Sequence, residues 1–299
     1  MASWQFKIYK MMLRLQRREQ ILDGSRSIEA ERANQERMLS LLRLPAACTT
    51  ISSTIAGVPA EWIDNPETEN GRILIYLHGG AYCLCSINTH RTLAAYIGQA
   101  AKAKTLIIDY RLAPEHHHPA ALEDATAVYK WCLEEGYDPQ KIAIVGDSAG
   151  GGLTLATLLA LRDQKLPLPG TAVCLSPWVD LLGTGSSMQN KVDIDPILSP
   201  QFLQRSARMY TNGHKLENPF ISPLYASFHD LPPLLIQVGT EEILLDDAAR
   251  LAEKAKADGV EVTLDVWDDM FHVWHMGVSL LPEAKAAVSQ IGAFIQQHT

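Results

Sequence analysis

The stretch Lys141-Ile142-Ala143-Ile144-Val145-Gly146-Asp147-Ser148-Ala149-Gly150-Gly151-Gly152-Leu153 decides how this chain is read. An apolar run of strand length, Lys141–Val145, meets a Gly-Asp-Ser-Ala-Gly turn, and the turn meets a helical run that reaches Gln164. A bare G-x-S-x-G arises by chance in roughly one chain in ten of this size, but between a strand and a helix it carries a mechanism. The sharp turn lifts the serine outward at the carboxyl edge of a sheet. The flanking glycines avoid collisions with the neighbouring strand and helix. The helix that follows aims its N-terminus at the hydroxyl, which favours negative charge developing there.

Outward from this turn the same rhythm repeats. CTTISSTI and VPAEWID, from residue 48 to residue 64, read as an early strand pair. Ile73–Leu77, Thr105–Asp109, Ala172–Leu175, Leu234–Val238 and Val262–Trp267 are further short apolar runs. Helical patterns at Thr89–Lys102, Leu122–Glu135, Gly151–Gln164, Asp246–Ala257 and Pro282–Gln296 lie between or after them. Strand and helix in alternation predict an α/β fold, a mostly parallel sheet with helices on both faces and ligands beyond the carboxyl ends of its strands. One stretch breaks the rhythm: residues 183–218 follow a strand without leading straight to the next, and hold a helical run at Pro200–Tyr210. The expected division is therefore N-terminal cap helices at 1–45, core at 46–182, a cap insertion at 183–218, and core again at 219–299.

Composition excludes several classes. With 299 residues, 47% hydrophobic and 20% charged, the chain is neither disordered nor fibrous. A net charge of −8 lacks the electrostatic footprint of a nucleic-acid binder. No run of 18 apolar residues occurs, so no membrane-spanning helix is expected. Five cysteines without clustered pairs suit free thiols in a reducing compartment. The first twenty residues lack the apolar run and small-residue cleavage site of a secretion signal, so the expected address is cytoplasmic. Charge is uneven: residues 1–43 hold nine Lys or Arg and five acids, a net +4 that leaves −12 for the rest. Ile8, Met11, Met12 and Leu15 follow helical spacing there. Such a basic amphipathic helix suits a membrane surface; packing against the globular body is the expectation taken here.

The second chemical signal is His78-Gly79-Gly80-Ala81-Tyr82, directly after the strand RILIYL. Consecutive small residues let backbone N–H groups face a ligand, as an oxyanion hole requires. The expected donors are the N–H groups of Gly80, Ala81 and Ala149, with Gly79 providing the bend and His78 holding the loop. A serine needs a base, and in this chain order an acid and then the base should follow it. Of His272, His275 and His298, the first lies in a loop just beyond the strand VTLDVW and is assigned as base. The acid should follow the strand LLIQV, where Glu241, Glu242, Asp246 and Asp247 compete; Glu242 is assigned, with Glu241 in reserve. Arg111, at the end of a strand, is expected to bind nearby carboxylates. His116-His117-His118 invites a metal, but the flanking Pro114 and Pro119 predict an extended loop whose adjacent side chains diverge, and no metal or cofactor is expected.

Together His78-Gly79-Gly80-Ala81, Asp109-Tyr110-Arg111-Leu112-Ala113-Pro114-Glu115 and Gly146-Asp147-Ser148-Ala149-Gly150-Gly151 stand in an order and spacing that resembles the hormone-sensitive-lipase-like esterases, in their branch with Asp before the nucleophile. Ser176-Pro177-Trp178-Val179-Asp180 and Gly239-Thr240-Glu241-Glu242 extend the resemblance over residues 45–299. It implies an α/β-hydrolase fold, eight strands with a helical cap, and cofactor-free hydrolysis of short acyl esters. It also implies Ser148 as nucleophile, His272 as base and Glu242 as acid. Two departures stand out: Ala81 where the family usually has a third glycine, and Glu242 where it usually has Asp. The cap should close a short apolar pocket, with Tyr82, Trp178, Phe202, Met209 and Tyr210 as its expected walls. The expected partner is a small-molecule ester, with no nucleic acid and no stable membrane insertion, and the resemblance allows a homodimer through an edge strand. The competing reading is a non-catalytic, small-ligand-binding member of the same fold; relatives of that kind lack the histidine, and the presence of His272 favours an enzyme.

Overall fold

Ile73, Ile75 and Leu77 of the strand Ile73–Leu77 point into one buried cluster, and Leu74 and Tyr76 point into another. A strand buried on both faces belongs inside a sheet covered by helices on both sides, and the rest of the chain supplies them. The computed structural model describes residues 2–21, 27–39, 42–68 and 71–299, leaving out the side chains of 16–21.

The strands are β1 (Thr49–Ile55), β2 (Val58–Asp64), β3 (Ile73–Leu77), β4 (Lys104–Ile108), β5 (Ile142–Asp147), β6 (Thr171–Leu175), β7 (Leu234–Gly239) and β8 (Val262–Trp267). They form one sheet in the order β1-β2-β4-β3-β5-β6-β7-β8, antiparallel at β1–β2 and β2–β4 and parallel from there on. The helices are α1 (Trp4–Ile21), α2 (Ile28–Leu39), α3 (Ile87–Ala101), α4 (Ala120–Glu134), α5 (Ala149–Asp163), α6 (Ser187–Asn190), α7 (Pro200–Thr211), α8 (Leu245–Ala257) and α9 (Pro282–His298). Helices α3 and α9 bury their apolar faces with Leu74 and Tyr76, while α4, α5 and α8 cover the other side. The chain has the α/β-hydrolase fold.

The connection between β6 and β7 carries α6 and α7. Ser199 caps α7 by accepting from the Phe202 N–H, with Pro200 at its first position. Two contacts tie this insertion to the N-terminal helices: Arg14 donates to the Ile194 carbonyl (3.3 Å), and Arg205 meets Glu31 (3.4 Å).

Helix α1 packs on the body, but not through the face expected. Phe6 is fully buried and stacks on Phe271 at 5.1 Å; Tyr9 stacks on the same ring at 6.0 Å, and Leu13 joins them. Ile8, Met11, Met12 and Leu15 point away and stay exposed. The helix is apolar on two sides, and its polar contacts choose between them. Ser3 N–H donates to Glu283, and Lys10, on the inward side, reaches Glu241 and the Asp269 carbonyl.

Candidate active site

Ser148 stands between β5 and α5 with φ of 53° and ψ of −120°. A non-glycine residue in that region is strained, and the surroundings hold it there. Its N–H donates to the Leu175 carbonyl (2.8 Å), and its own carbonyl accepts from Gly152 and Trp178. The flanking glycines answer to close approach. A Cβ on Gly146 would sit 2.2 Å from the Gly150 carbonyl oxygen, and one on Gly150 would sit 2.0 Å from that of Leu77.

The loop after β3 curls tightly. Gly80 (φ 110°), Ala81 (53°) and Tyr82 (62°) are successive left-handed residues, and the Cys83 and Leu84 N–H groups close on the Gly80 carbonyl at 3.0 and 2.8 Å. The bend therefore belongs to Gly80, not to Gly79 as expected. Gly79 is required for a different reason: a Cβ there would meet the Asp147 carboxylate at 2.2 Å. The Gly79 N–H instead donates to Asp147 Oδ1 (3.0 Å), which also accepts from the Tyr76 hydroxyl (2.8 Å). Asp147 thus fastens the loop to the residue preceding Ser148. Burial pushes its carboxyl up, but the neighbouring His90 and the hydrogen bonds from His90 and Tyr76 outweigh this and hold it below the usual range. The N–H groups of Gly80, Ala81 and Ala149 donate to no protein acceptor among the described residues.

His78 does hold the loop. Its ring stacks on Tyr110 at 4.3 Å, and Nδ1 meets the Gly79 carbonyl at 2.7 Å. Burial pushes its pKa down to about 3, so the imidazole is neutral. A second brace comes from α2, and nothing in the sequence pointed to it. Arg32 donates to the carbonyls of Cys83 and Ala113, each at 2.8 Å, and forks onto Glu115. That guanidinium pulls the Glu115 carboxyl down to about 2.

His272 reaches Ser148 from the loop after β8. Its Nε2 lies 3.0 Å from Ser148 Oγ, and its Nδ1 lies 2.9 Å from Glu242 Oε2. The carboxylate at Nδ1 keeps the proton on that nitrogen and leaves Nε2 free to accept from the serine hydroxyl. Burial pushes the imidazole down, but the hydrogen bond and charge of Glu242, then the charges of Asp195 and Asp147, outweigh it and raise its pKa above the ordinary 6.5. Glu242 is fully buried, and its other oxygen accepts from the Gly239 N–H (2.7 Å) and the Ser176 hydroxyl (2.8 Å). Glu241, by contrast, turns outward to Lys10 and Arg14.

Two further residues order this corner. Ser176 Oγ donates to Glu242 and accepts from the Val273 N–H (3.1 Å), joining the acid loop to the histidine loop. Asp195, buried in the insertion, accepts from the Ile197, Leu198 and Ile243 N–H groups at 2.8, 2.9 and 2.9 Å. Neither role was readable beforehand, because each depends on loops distant in sequence. The other candidates go elsewhere. His275 is buried against Gln237 (2.9 Å), and burial lowers its pKa to about 3. Asp247 accepts from the Val179 and Asp180 N–H groups, with burial raising its pKa to about 8. Asp246 binds Ser186 and Ser187.

Residues 113–119 turn rather than extend. His117 Nδ1 meets the Met209 carbonyl at 2.7 Å, and His118 packs edge-on to His214. Among the described residues no three His, Cys, Asp or Glu side chains converge to hold a metal ion. Arg111 binds Asp124 and Glu123, as expected.

Tyr82 stacks on Tyr210 at 3.8 Å and neighbours Trp178 at 6.2 Å, all three buried. A cavity of about 20 Å³ lies beside α7, lined by Trp178, Leu181, Leu182, Gly183, Met188, Pro200, Leu203 and Gln204. Trp178 is among its lining residues; Ser148, Glu242 and His272 are not. Helix α7 buries the stripe Leu203, Ser206, Ala207 and Tyr210, leaving Phe202 and Met209 half-buried on its flanks. Apolar content alone could not say which stripe turns inward.

A family model described as an alpha/beta hydrolase fold matches residues 74–276. An acetyl-hydrolase of Streptomyces hygroscopicus is 45% identical over 246 residues, covering 82% of each chain. A solved esterase from the bacterial hormone-sensitive lipase family superposes with a TM-score of 0.95 at 43% identity, over all of this chain and 99% of the other. The structure of EstE5 soaked with p-nitrophenyl butyrate gives 0.94 at 42% identity, over 99% of both chains.

Proposed function

This chain belongs to the hormone-sensitive-lipase-like esterases of the α/β-hydrolase fold and is a carboxylic ester hydrolase; from that premise we propose that it cleaves short-chain acyl esters through a Ser148 acyl-enzyme. The observation that carries this is the continuous contact from Ser148 Oγ through the His272 ring to Glu242, at 3.0 and 2.9 Å. Ser148 Oγ attacks the ester carbonyl carbon while His272 Nε2 takes its proton. The negative charge formed on the carbonyl oxygen is met by the N–H groups of Gly80, Ala81 and Ala149 and by the N-terminus of α5, interactions worth several kcal/mol in such sites (about 2.7–4 for one donor). His272 then passes the proton to the departing alcohol, and Glu242 stabilises the imidazolium between the two transfers. Water repeats the sequence on the acyl-enzyme and releases the acid. No cofactor enters any step.

In this reading α1, α2 and residues 183–218 act together as the cap, which the Arg14 and Arg205 contacts support. A short-acyl preference is supported by the bulky buried side chains Tyr82, Trp178 and Tyr210 that pack together beside the loop after β3. The acetyl and butyryl esters in the names of its relatives support it too. A cytoplasmic address suits the five free cysteines. A panel of p-nitrophenyl esters tests the pocket: kcat/KM should be highest between acetyl and roughly hexanoyl and fall at least about tenfold by dodecanoyl. Efficient cleavage of emulsified long-chain triglycerides would contradict it.

The raised His272 pKa sets the pH profile. The base works only when neutral, so kcat/KM should rise with pH through a midpoint above the ordinary value of about 6.5. The residual activity of Glu242→Gln should show that midpoint moved downward, because the largest raising influence is gone. A midpoint that stays fixed in the variant would detach the profile from His272.

A further inference from the structure

Helix α1 leaves an organised apolar face uncovered. Trp4, Ile8, Met11, Met12 and Leu15 recur at the spacing of one helix face and are 70%, 47%, 57%, 52% and 57% exposed. They are five of the eleven large hydrophobic side chains exposed among the described residues, gathered on a single stripe. At 3.6 residues per turn this stripe lies opposite Phe6, Tyr9 and Leu13, which hold the helix to the body.

Charge says what covers it. Residues 2–18 contain Lys7, Lys10, Arg14, Arg17 and Arg18 and no acid, whereas the chain as a whole carries −8. By helical position Lys7 and Arg14 fall along one border of the stripe; Lys7 is exposed, and Arg14 is half-exposed beside Glu241. A second copy seated on this face about a two-fold axis would bring like-charged rims together. An anionic lipid surface instead offers hydrocarbon to the stripe and phosphates to the rim, and it repels the acidic remainder of the molecule, which fixes the orientation.

We propose that the outward face of α1 docks reversibly on an anionic bilayer. Apolar side chains and cations supply the two signals that interfacial binding needs. No described helix is long and apolar enough to span, so the attachment is peripheral. The docked helix is wired to the site: its inward face stacks on Phe271, next to His272, and its Lys10 and Arg14 bind Glu241, next to Glu242. Docking would therefore present the reactive corner to esters dissolved at the membrane surface. This inference stands apart from the acyl-enzyme reading, because binding is measured without turnover.

The test is flotation of the full chain with vesicles of phosphatidylcholine alone or with about one third phosphatidylglycerol. Binding should be at least about tenfold stronger to the anionic vesicles and should weaken in 0.5 M salt (roughly a 4 Å Debye length). The triple variant Met11→Gln, Met12→Gln, Leu15→Gln should lose about tenfold in binding, and Lys7→Gln several-fold, with circular dichroism and Tm unchanged. Three results would overturn the proposal: equal or absent binding of the wild type to both vesicles, full binding by the folded triple variant, or a dimer in sedimentation velocity that the triple variant dissolves without any vesicle binding in the wild type.

Discussion

Exchange of Ser148 for alanine should lower kcat for p-nitrophenyl acetate by about 10⁴- to 10⁶-fold while the thermal midpoint stays within a few degrees. The two halves of this expectation have separate causes. Alanine, like serine, must accept a φ of 53°, and the backbone bonds to Leu175, Gly152 and Trp178 that impose it do not involve the hydroxyl. The fold thus loses little beyond one hydrogen bond, worth about 1 kcal/mol. The reaction loses the atom that forms the ester bond, and with it the partner of His272 Nε2 at 3.0 Å. What survives is stabilisation of the oxyanion and positioning of substrate. Turnover near the wild-type rate in a variant verified by mass would remove Ser148 from the mechanism.

The second large effect separates two adjacent glutamates. Glu242→Gln should cost about 10³- to 10⁴-fold in kcat, whereas Glu241→Gln should change it by less than about threefold, because its ion pairs lie outside the Ser148–His272–Glu242 chain of contacts. The buried carboxylate offers two acceptor oxygens, one to His272 Nδ1 and one shared by the Gly239 N–H and the Ser176 hydroxyl. Glutamine has one such oxygen. If it faces Gly239, its NH₂ group turns toward Nδ1, the imidazole takes the other tautomer, and Nε2 can no longer accept from Ser148. If the oxygen faces His272, the NH₂ group is pressed against the Gly239 N–H. The first orientation disables the base, and the second leaves a buried polar mismatch. Among the described residues the Glu241 carboxylate meets Lys10 and Arg14. Loss of activity in Glu241→Gln alone would reverse the assignment.

How much was legible in advance follows from the range of the interactions involved. Strands β3 and β8 lie at the predicted residues because each is an apolar run of strand length between turn-forming segments, a local property. The turn at Ser148 was readable for a related reason: Gly146 answers to the Gly150 carbonyl within the strand–turn–helix unit, and Gly150 to Leu77 on the adjacent strand β3. Glu242 and His272 were chosen by chain order, and the structure brings them into one line of contact with Ser148 although neither is near it in sequence. What escaped was pairwise and long-range. Ser176 bridges Glu242 and Val273, and Arg32 bridges Cys83 and Glu115, with no periodicity or motif to announce either link. The rotation of α1 was misread because it presents apolar residues on two sides, and only the Lys10 contacts and the Phe6 and Tyr9 stacks on Phe271 break the tie. The inward stripe of α7 is likewise fixed by what packs against it, not by its own composition.

The most direct test of the account is to inactivate the wild-type protein with an organophosphate ester and locate the adduct by intact-mass measurement and peptide mapping. The account predicts one adduct per chain, on Ser148, forming in step with loss of esterase activity and absent from Ser148→Ala. An adduct on any other residue, or a stoichiometrically labelled protein that still turns over ester, would contradict it.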